Sequence, residues 1–228
     1  MMKLSVIVPC FNEVKTVKGL LDELTAVPEV KQVIVVDDAS TDGTDKILQR
    51  YRHQKVTVIR HKLNQGKGAA IQTGLTKVQG THVLIQDADL EYDPREIKQL
   101  IVPIKEGRTK VVYGSRFLGP RTNMFFWHYV GNRWLNFLIN ILYNSILTDM
   151  ETCYKVMPTE QLIALNLKQN DFRIEPEITC KLLLNRVRIL EVPITFMART
   201  YSEGKKITWK DGFKAIGTIV ALRIGVKR

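Results

Sequence analysis

Residues 4–13, LSVIVPCFNE, and residues 32–38, QVIVVDD, decide the fold. Each begins as a short run rich in β-branched residues and ends in polar ones, which is typical of a strand that leads into a functional loop. Between the two runs, apolar residues recur at the spacing of a helix: Val17, Leu20, Leu21 and Leu24. Strand, helix and strand in this order predict a parallel sheet wound with crossover helices.

The same alternation continues through the first half of the chain. Strands are predicted at residues 4–9, 32–37, 56–59, 82–86 and 111–114. A second helical stripe follows the fourth strand and contains Ile97, Leu100, Ile101 and Ile104. We therefore expect one α/β domain over residues 1–228, with a mostly parallel central sheet flanked by helices.

Composition limits the possible partners. The 228 residues are 45% hydrophobic and carry a formal charge of +11, which favours an anionic partner such as a nucleic acid, an anionic membrane or a phosphorylated substrate. No window reaches the roughly 20 apolar residues of a spanning helix, so we expect a cytoplasmic protein. The three cysteines lack metal-site spacing and are interpreted as free thiols.

Four polar loops follow the predicted strands, at residues 10–13, 37–43, 64–68 and 87–91. In open sheets of this kind ligands bind beyond the carboxyl ends of the strands, so these loops predict a site at one sheet edge. Asp87 and Asp89 are two carboxylates separated by one residue, a pattern that suits Mg²⁺ or Mn²⁺ beside a substrate diphosphate. Taken alone, the pair is a weak signal, and capping of the helix that starts near residue 94 or solvation of a turn is the better explanation.

The other loops suggest nucleotide binding. Asp38 ends a strand and can accept from a nucleobase N–H or from ribose hydroxyls. Gly66 and Lys67 lie in a glycine-rich loop before a predicted helix, where N–H groups favour anions. The loop lacks the Walker spacing, and no GxGxxG follows the first strand, which argues against a dinucleotide cofactor. Glu175 and Glu177 are explained adequately by helix-start electrostatics.

These segments, together with Gly114-Ser115-Arg116, resemble family 2 glycosyltransferases, and within them the dolichol-phosphate mannose synthase and polyprenyl-phosphate glucosyltransferase branch. The resemblance extends from residue 4 to about residue 206 in order and spacing. It implies a GT-A fold, a bound divalent metal and inversion at the anomeric carbon. It also implies a hexose donor such as UDP-glucose or GDP-mannose and a dolichyl or undecaprenyl phosphate acceptor. UDP-glucose is favoured by the segments at residues 151–155 and 203–206.

The resemblance also assigns residues position by position. Around the nucleoside it places Pro9, Phe11, Glu13, Val36 and Asp38. For ribose, phosphate and metal it gives Asp87, Ala88 and Asp89, with Glu91 at the position of a third metal ligand. Arg116 and Arg133 match an acceptor-phosphate pair, and Arg199 with Lys205 matches a basic pair over the diphosphate. Asp149 and Glu151 fall where relatives place an acidic residue near the acceptor.

The second half differs in character from the first. We assign residues 1–118 to nucleotide-sugar binding, 119–206 to the acceptor and 207–228 to a C-terminal amphipathic helix. An aromatic cluster at residues 125–127 precedes a helix predicted over residues 132–147, with Trp134, Leu138, Ile141 and Leu142 on one face and Arg133, Asn136, Asn140 and Asn144 on another. This helix and the C-terminal one are interpreted as peripheral membrane contacts, with docking on the protein's own core as the alternative.

Other functions remain open from the residues alone. Transfer to a saccharide hydroxyl would demand a general base, for which Asp149 or Glu151 could serve. Nucleotidyl transfer would need a basic glycine-rich loop after the first strand, and residues 10–13 do not supply one. A non-catalytic nucleotide- or nucleic-acid-binding module has only the positive charge in its favour. A carboxylate-lined edge would repel a polyanion, so we expect no nucleic-acid partner.

Overall fold

The computed structural model describes residues 2–122, 124–199 and 209–225, without the side chains of residues 209 and 210. In these ranges the strands are β1 Leu4–Cys10, β2 Val30–Asp37, β3 Val56–Arg60, β4 His82–Ile85, β5 Val111–Ser115, β6 Lys155–Pro158 and β7 Ile189–Pro193. The α-helices are α1 Val17–Ala26, α2 Thr44–Arg50, α3 Lys67–Leu75, α4 Ile97–Lys105, α5 Phe126–Tyr143, α6 Thr159–Ala164, α7 Ile174–Leu184 and α8 Trp209–Gly225.

The seven strands form one sheet in the order β3-β2-β1-β4-β6-β5-β7. β1 pairs in parallel with β2 and β4, and β5 pairs in parallel with β7, whereas β6 runs antiparallel to both of its neighbours. Every residue of β1 is buried, because helices cover both faces of a parallel sheet. The predicted mostly parallel sheet flanked by helices is therefore confirmed.

All five predicted strands are present, with bounds within two residues of those predicted. The sequence interpretation did not find β6 and β7, which complete the sheet from the second half of the chain. β6 has only four residues and includes a lysine, and β7 is only partly buried, so neither shows a clear apolar pattern. Both become strands because β4 and β5 offer them pairing edges.

Helix α5 begins and ends earlier than predicted. The aromatic residues Phe126 and Trp127 form its first turn, and Asn144 ends it in the left-handed conformation at φ 49°. Its buried residues are Leu135, Asn136 and Ile139. The predicted apolar face is divided: Trp134 is 55% exposed and Ile141 is 62% exposed, whereas Leu138 and Leu142 are partly buried.

The asparagine stripe of α5 faces inward because it satisfies backbone groups of the loop that follows. The side chain of Asn136 donates to the Thr148 carbonyl at 2.7 Å and accepts from the Met150 N–H at 2.8 Å. Asn140 donates to the Leu147 carbonyl at 2.9 Å and accepts from its N–H at 2.8 Å. Buried backbone groups need such partners, so polar residues occupy the inner face.

Helix α8 docks on α5 and α7. Ala215 and Ile219 are buried in a second apolar cluster together with Leu135, Ile139, Met150 and Cys180. Docking on the protein's own core, the alternative considered for this helix, is therefore what its inner face does. Phe213 and Ile224 remain exposed. None of the helices in the described ranges has the length and apolarity to cross a membrane.

Replacing Asn136 with Ala tests the inward asparagine stripe. Asn136 is 2% exposed, and its loss leaves a buried carbonyl and a buried N–H unpaired, each at a cost of about 1–3 kcal/mol. We expect urea unfolding to show a loss of roughly 2 kcal/mol or more. The exposed Asn185→Ala is the matched control. Equal, small changes in both variants would contradict the assigned role.

Candidate active site

A cavity of about 340 Å³ opens at the edge where β1, β2 and β4 end. These strands are parallel neighbours, so the loops that follow them meet there, as the sequence predicted. The cavity is lined by Pro9, Cys10, Phe11, Glu13, Asp38, Asn64, Gly66, Lys67, Ala70, Asp87, Ala88, Asp89, Glu91, Phe172 and Arg199. Most of the residues assigned to the donor and the metal are therefore brought together.

Two assigned donor residues are not in this set. Val36 is completely buried within β2 and does not line the cavity, because its side chain lies beneath α3, close to Gly74. Lys205 lies outside the described residues. Asn64 and Phe172 line the cavity although no role was assigned to them. Asn64 stands beside the glycine loop and could have been included, whereas no local pattern marks Phe172.

Asp38 fastens the glycine loop to β2. Its carboxylate accepts from the N–H groups of Gln65 at 2.9 Å and Gly66 at 2.7 Å, and it lies 2.7 Å from Nδ1 of His61. The other ring nitrogen of His61 lies 2.9 Å from the Thr73 hydroxyl. A carboxylate has about four acceptor positions, so roughly one is left for a ligand such as a nucleobase N–H. His61, buried after β3, escaped the sequence interpretation.

Packing within the protein itself requires glycine at two positions of this loop. A Cβ on Gly66 would lie 2.5 Å from the Asn170 carbonyl oxygen, and one on Gly68 would lie 2.2 Å from that of Gln169. Gly66 also has a φ of 97°, which side chains rarely adopt. The Ala69 N–H donates to Asn170. Close backbone packing, and not only a ligand, therefore requires these glycines.

Lys67 lies between two carboxylates. Its ammonium is 2.7 Å from Asp87 and 3.0 Å from Glu175, and Glu175 also pairs with the fully buried Lys155. Burial opposes a charged ammonium, but Asp87 and Glu175 outweigh it and raise the pKa of Lys67 well above its usual value. Glu175 is thus more than the helix-start residue that the sequence suggested. It fixes Lys67, and Lys67 fixes Asp87.

The second aspartate of the pair meets an arginine. Arg199 donates from Nη2 to Asp89 at 2.6 Å and from Nη1 to Glu13 at 3.1 Å, while its backbone N–H donates to Glu91 at 2.9 Å. Burial, Asp87 and Glu91 together raise the pKa of Asp89 to about 7. Such a concentration of carboxylates favours a bound cation.

The carboxylates of the cavity are candidate ligands of a divalent metal. Among the described residues, no group of three or more acidic, histidine or cysteine side chains stands at metal-binding spacing. Asp89, Glu13 and Glu91 nevertheless surround one guanidinium with oxygen atoms. Mg²⁺ and Mn²⁺ take oxygen ligands and usually need only one or two carboxylates beside substrate phosphates. The chemistry of the set therefore fits a metal completed by a ligand.

Asp149 holds Arg116, which packs against the ring of Phe196. Its Nε and Nη2 donate to the two oxygens of Asp149, each at 2.7 Å, and its guanidinium lies 5.2 Å from the Phe196 ring. Asp149 is completely buried, and its neighbourhood is set by Glu191, which accepts from the Thr148 and Asp149 N–H groups. The sequence interpretation did not find Glu191. Asp149 serves here as the partner of Arg116.

Three arginines lie around the ring of Phe117. The guanidinium carbons of Arg116 and Arg121 lie 5.8 Å from its ring centroid, and that of Arg133 lies 5.7 Å away. The predicted pair Arg116 and Arg133 is thus brought together, and Arg121 joins it. Within the described residues, Arg121 and Arg133 have no carboxylate within ion-pair distance. An anion is the ligand that such a cluster suits.

Glu151 lies behind this cluster among charged groups. One carboxylate oxygen, Oε1, is buried and has no hydrogen-bond partner among the described residues. Burial and the nearby Glu175 raise the pKa of Glu151 to about 7. Of the two acidic residues assigned near the acceptor, Glu151 has a carboxylate oxygen without a hydrogen-bond partner among the described residues, whereas both oxygens of Asp149 accept from Arg116.

Comparison with known proteins agrees with this architecture. The structure superposes on that of glucosyl-3-phosphoglycerate synthase from Mycobacterium tuberculosis, crystallised with Mn²⁺, UDP and glucosyl-3-phosphoglycerate. The TM-score is 0.77 at 18% identity, over 100% of this chain and 81% of that one. The sheet and its helices thus have the GT-A fold.

Sequence comparisons identify the family to which the chain belongs. The family model "Glycosyl transferase family 2" matches residues 5–163, and the chain belongs to this family. It is 30% identical to UDP-N-acetylglucosamine–dolichyl-phosphate N-acetylglucosaminyltransferase of Methanococcus voltae, over 96% of this chain and 95% of the relative. It is 29% identical to dolichol-phosphate mannosyltransferase of Pyrococcus furiosus, over 90% of this chain and 59% of the relative.

The raised pKa of Glu151 predicts a pH-dependent stability. The unfolded carboxyl loses its proton near pH 4.5, whereas the folded one keeps it to about pH 7, so folding stability falls as pH rises through this window. The fall should be roughly 2–4 kcal/mol. In Glu151→Gln we expect a flatter pH profile of the midpoint of thermal unfolding between pH 5 and pH 8. The exposed Glu23→Gln is the control, and parallel profiles for all three proteins would disprove the assignment.

Proposed function

We propose that this protein is an inverting hexosyltransferase that moves a sugar from a nucleotide sugar to a polyprenyl phosphate. The observation that carries the proposal is the pairing of two chemically opposite regions. A carboxylate-lined cavity lies at the sheet edge, and an arginine cluster lies beside it around Phe117. Phe196 connects them, since it contacts Arg116 and lies three residues before Arg199.

The cavity would hold the nucleotide sugar. Asp38 and the loop around Gly66 would contact the nucleoside, and Asp87 and Asp89 would lie at the diphosphate; all of them line the cavity. With the donor diphosphate, Asp89 and Glu91 would hold Mg²⁺ or Mn²⁺. The metal would act as a Lewis acid that neutralises the departing diphosphate. The names of the Methanococcus voltae relative and of the Mycobacterium tuberculosis structure, both of which contain a uridine diphosphate group, support the donor class.

The arginine cluster would hold the acceptor phosphate. A guanidinium binds phosphate oxygens through paired donors, and a phosphate monoester is ionised near neutral pH, with a second pKa of about 6. The nucleophile therefore needs position more than deprotonation. This agrees with Asp149, both of whose carboxylate oxygens accept from Arg116, which makes the carboxylate a weaker base. Transfer to a sugar hydroxyl would instead depend on Glu151.

A polyprenyl acceptor would require contact with a membrane surface, and we propose the cytoplasmic face. An exposed apolar stripe runs along α5 from the arginine cluster and supports this location. The stripe consists of Phe126, Val130, Trp134, Phe137 and Ile141, with Trp127 beside its first turn. Each large side chain that enters the acyl boundary contributes up to about 1.5–3 kcal/mol. The cationic cluster at one end of the stripe suits anionic headgroups.

A donor and acceptor panel tests the reaction. We expect sugar transfer to undecaprenyl or dolichyl phosphate from one of UDP-glucose, UDP-N-acetylglucosamine or GDP-mannose in the presence of Mn²⁺ or Mg²⁺, scored as lipid-linked sugar. Asp89→Asn should lower turnover at least a hundredfold, because the metal loses a ligand. Asp22→Asn, on the far surface of α1, is the control. Full activity in EDTA would refute the metal, and transfer only to soluble saccharides would favour the hydroxyl alternative.

Vesicle binding tests the membrane contact. Wild-type protein should co-sediment with vesicles containing anionic lipid, and less so at high salt. The double variant Trp127→Ser, Trp134→Ser should remain largely in the supernatant. Leu63→Ser, which removes an exposed leucine away from the stripe, should behave as wild type. Deletion of α8 is unsuitable because it would uncover the second core. Wild type that stays in the supernatant at low salt would refute the contact.

A further inference from the structure

The guanidinium of Arg199 lies where the carboxylates of the cavity converge. Nη2 is 2.6 Å from Asp89 Oδ2, Nη1 is 3.1 Å from Glu13 Oε2, and Nε is 3.7 Å from Glu91 Oε1. Three carboxylates from two loops thus share one side-chain cation. Asp89 and Glu91 are also the carboxylates that a metal would need. A metal on Asp89 Oδ2 would be repelled by the Arg199 guanidinium already bound to that oxygen, so the two cations compete there.

The described carboxylates of the cavity outnumber its side-chain cations, which favours the binding of a further cation. Among the described residues, four carboxylates, Glu13, Asp87, Asp89 and Glu91, face two side-chain cations, Lys67 and Arg199. Lys67 is moreover shared with Glu175. Among the described residues, the carboxylates of the cavity therefore outnumber its cations. A divalent ion would bring more positive charge to them than Arg199 does.

The contacts of Arg199 are also incomplete. Its Nε is buried without a hydrogen-bond partner among the described residues. Arg116 is different, because it presents Nε and Nη2 together to both oxygens of Asp149. A buried donor without an acceptor costs free energy, so the position of Arg199 is less favourable than that of Arg116. A ligand that offers Arg199 better acceptors would release it at little cost.

We infer that Arg199 is an internal counter-ion that competes with the divalent metal for Asp89, Glu13 and Glu91. The metal displaces it efficiently only together with a nucleoside diphosphate, whose oxygens give the released guanidinium paired acceptors. The inference rests on the proposed function, which supplies both ligands. It adds that Arg199 weakens the binding of free metal and couples metal binding to donor binding. Arg199 would thereby keep the site from holding metal without its substrate.

Mn²⁺ binding to the full chain tests this directly, without any turnover. The free ion is measured by electron paramagnetic resonance, first alone and then with UDP or GDP. Arg199→Met removes the charge but keeps an unbranched side chain whose sulfur is a poor ligand for Mn²⁺. We expect this variant to bind Mn²⁺ alone about tenfold more tightly than wild type, within the usual range of coupling between sites. Its gain in Mn²⁺ affinity on adding nucleotide should be smaller than that of wild type.

Two further variants keep the test decisive. Arg95→Gln removes an exposed arginine that pairs with Asp93 outside the cavity, and it should leave Mn²⁺ affinity unchanged. Arg199→Lys keeps a charge but loses the fork, so an intermediate affinity is expected, and this variant replaces Arg199→Met if the latter fails to fold. Unchanged or weaker Mn²⁺ binding in the folded Arg199 variants would overturn the inference alone. No Mn²⁺ binding by any protein, even with UDP or GDP, would overturn the metal assignment of the proposed function as well.

Discussion

The cavity at the sheet edge depends on the ammonium of Lys67, which joins Asp87 after β4 to Glu175 on α7. Loss of Lys67 would remove one of the two cationic partners of Glu175, which is only 2% exposed, and this is destabilising in a low-dielectric surrounding. Glu175 also pairs with Lys155 on β6, so one chain of charges links the glycine loop, the aspartate pair, α7 and an antiparallel strand. The position of Asp87 in the cavity is therefore set by segments distant in the chain.

The arginine cluster around Phe117 is likewise positioned by charged residues from distant parts of the chain. Glu191 on β7 holds the backbone at residues 148–149, Asp149 holds Arg116, and Phe117 collects the neighbouring arginines. β6 and β7 thus do more than widen the sheet, because the buried Lys155 on β6 pairs with Glu175, and the partly buried Glu191 on β7 holds the backbone at residues 148–149. The two halves meet at Phe196, which lies beside Arg116.

Helix α5 shows what a local pattern leaves undecided. Its apolar face was interpreted as a membrane contact, with docking on the core as the alternative, and its asparagines were placed on another face without a role. The loop at residues 147–150 gives them one, because its N–H and carbonyl groups need polar partners, and Asn136 and Asn140 provide them. Trp134 and Ile141 consequently remain outside, where they form the stripe next to the arginine cluster.

The sequence by itself determined the parallel half of the sheet, the loops at its carboxyl edge and most of the residues that line the cavity. It did so because strand and helix periodicity are local, and because parallel strands bring their carboxyl ends together whatever the details of packing. Only the tertiary structure decided that β6 and β7 join the sheet, that Glu175 and Glu191 position the site, and that Arg199 lies against Glu13 and Asp89. Pairing edges, buried ion pairs and inward helix faces depend on partners far away in the chain, and no local pattern records them.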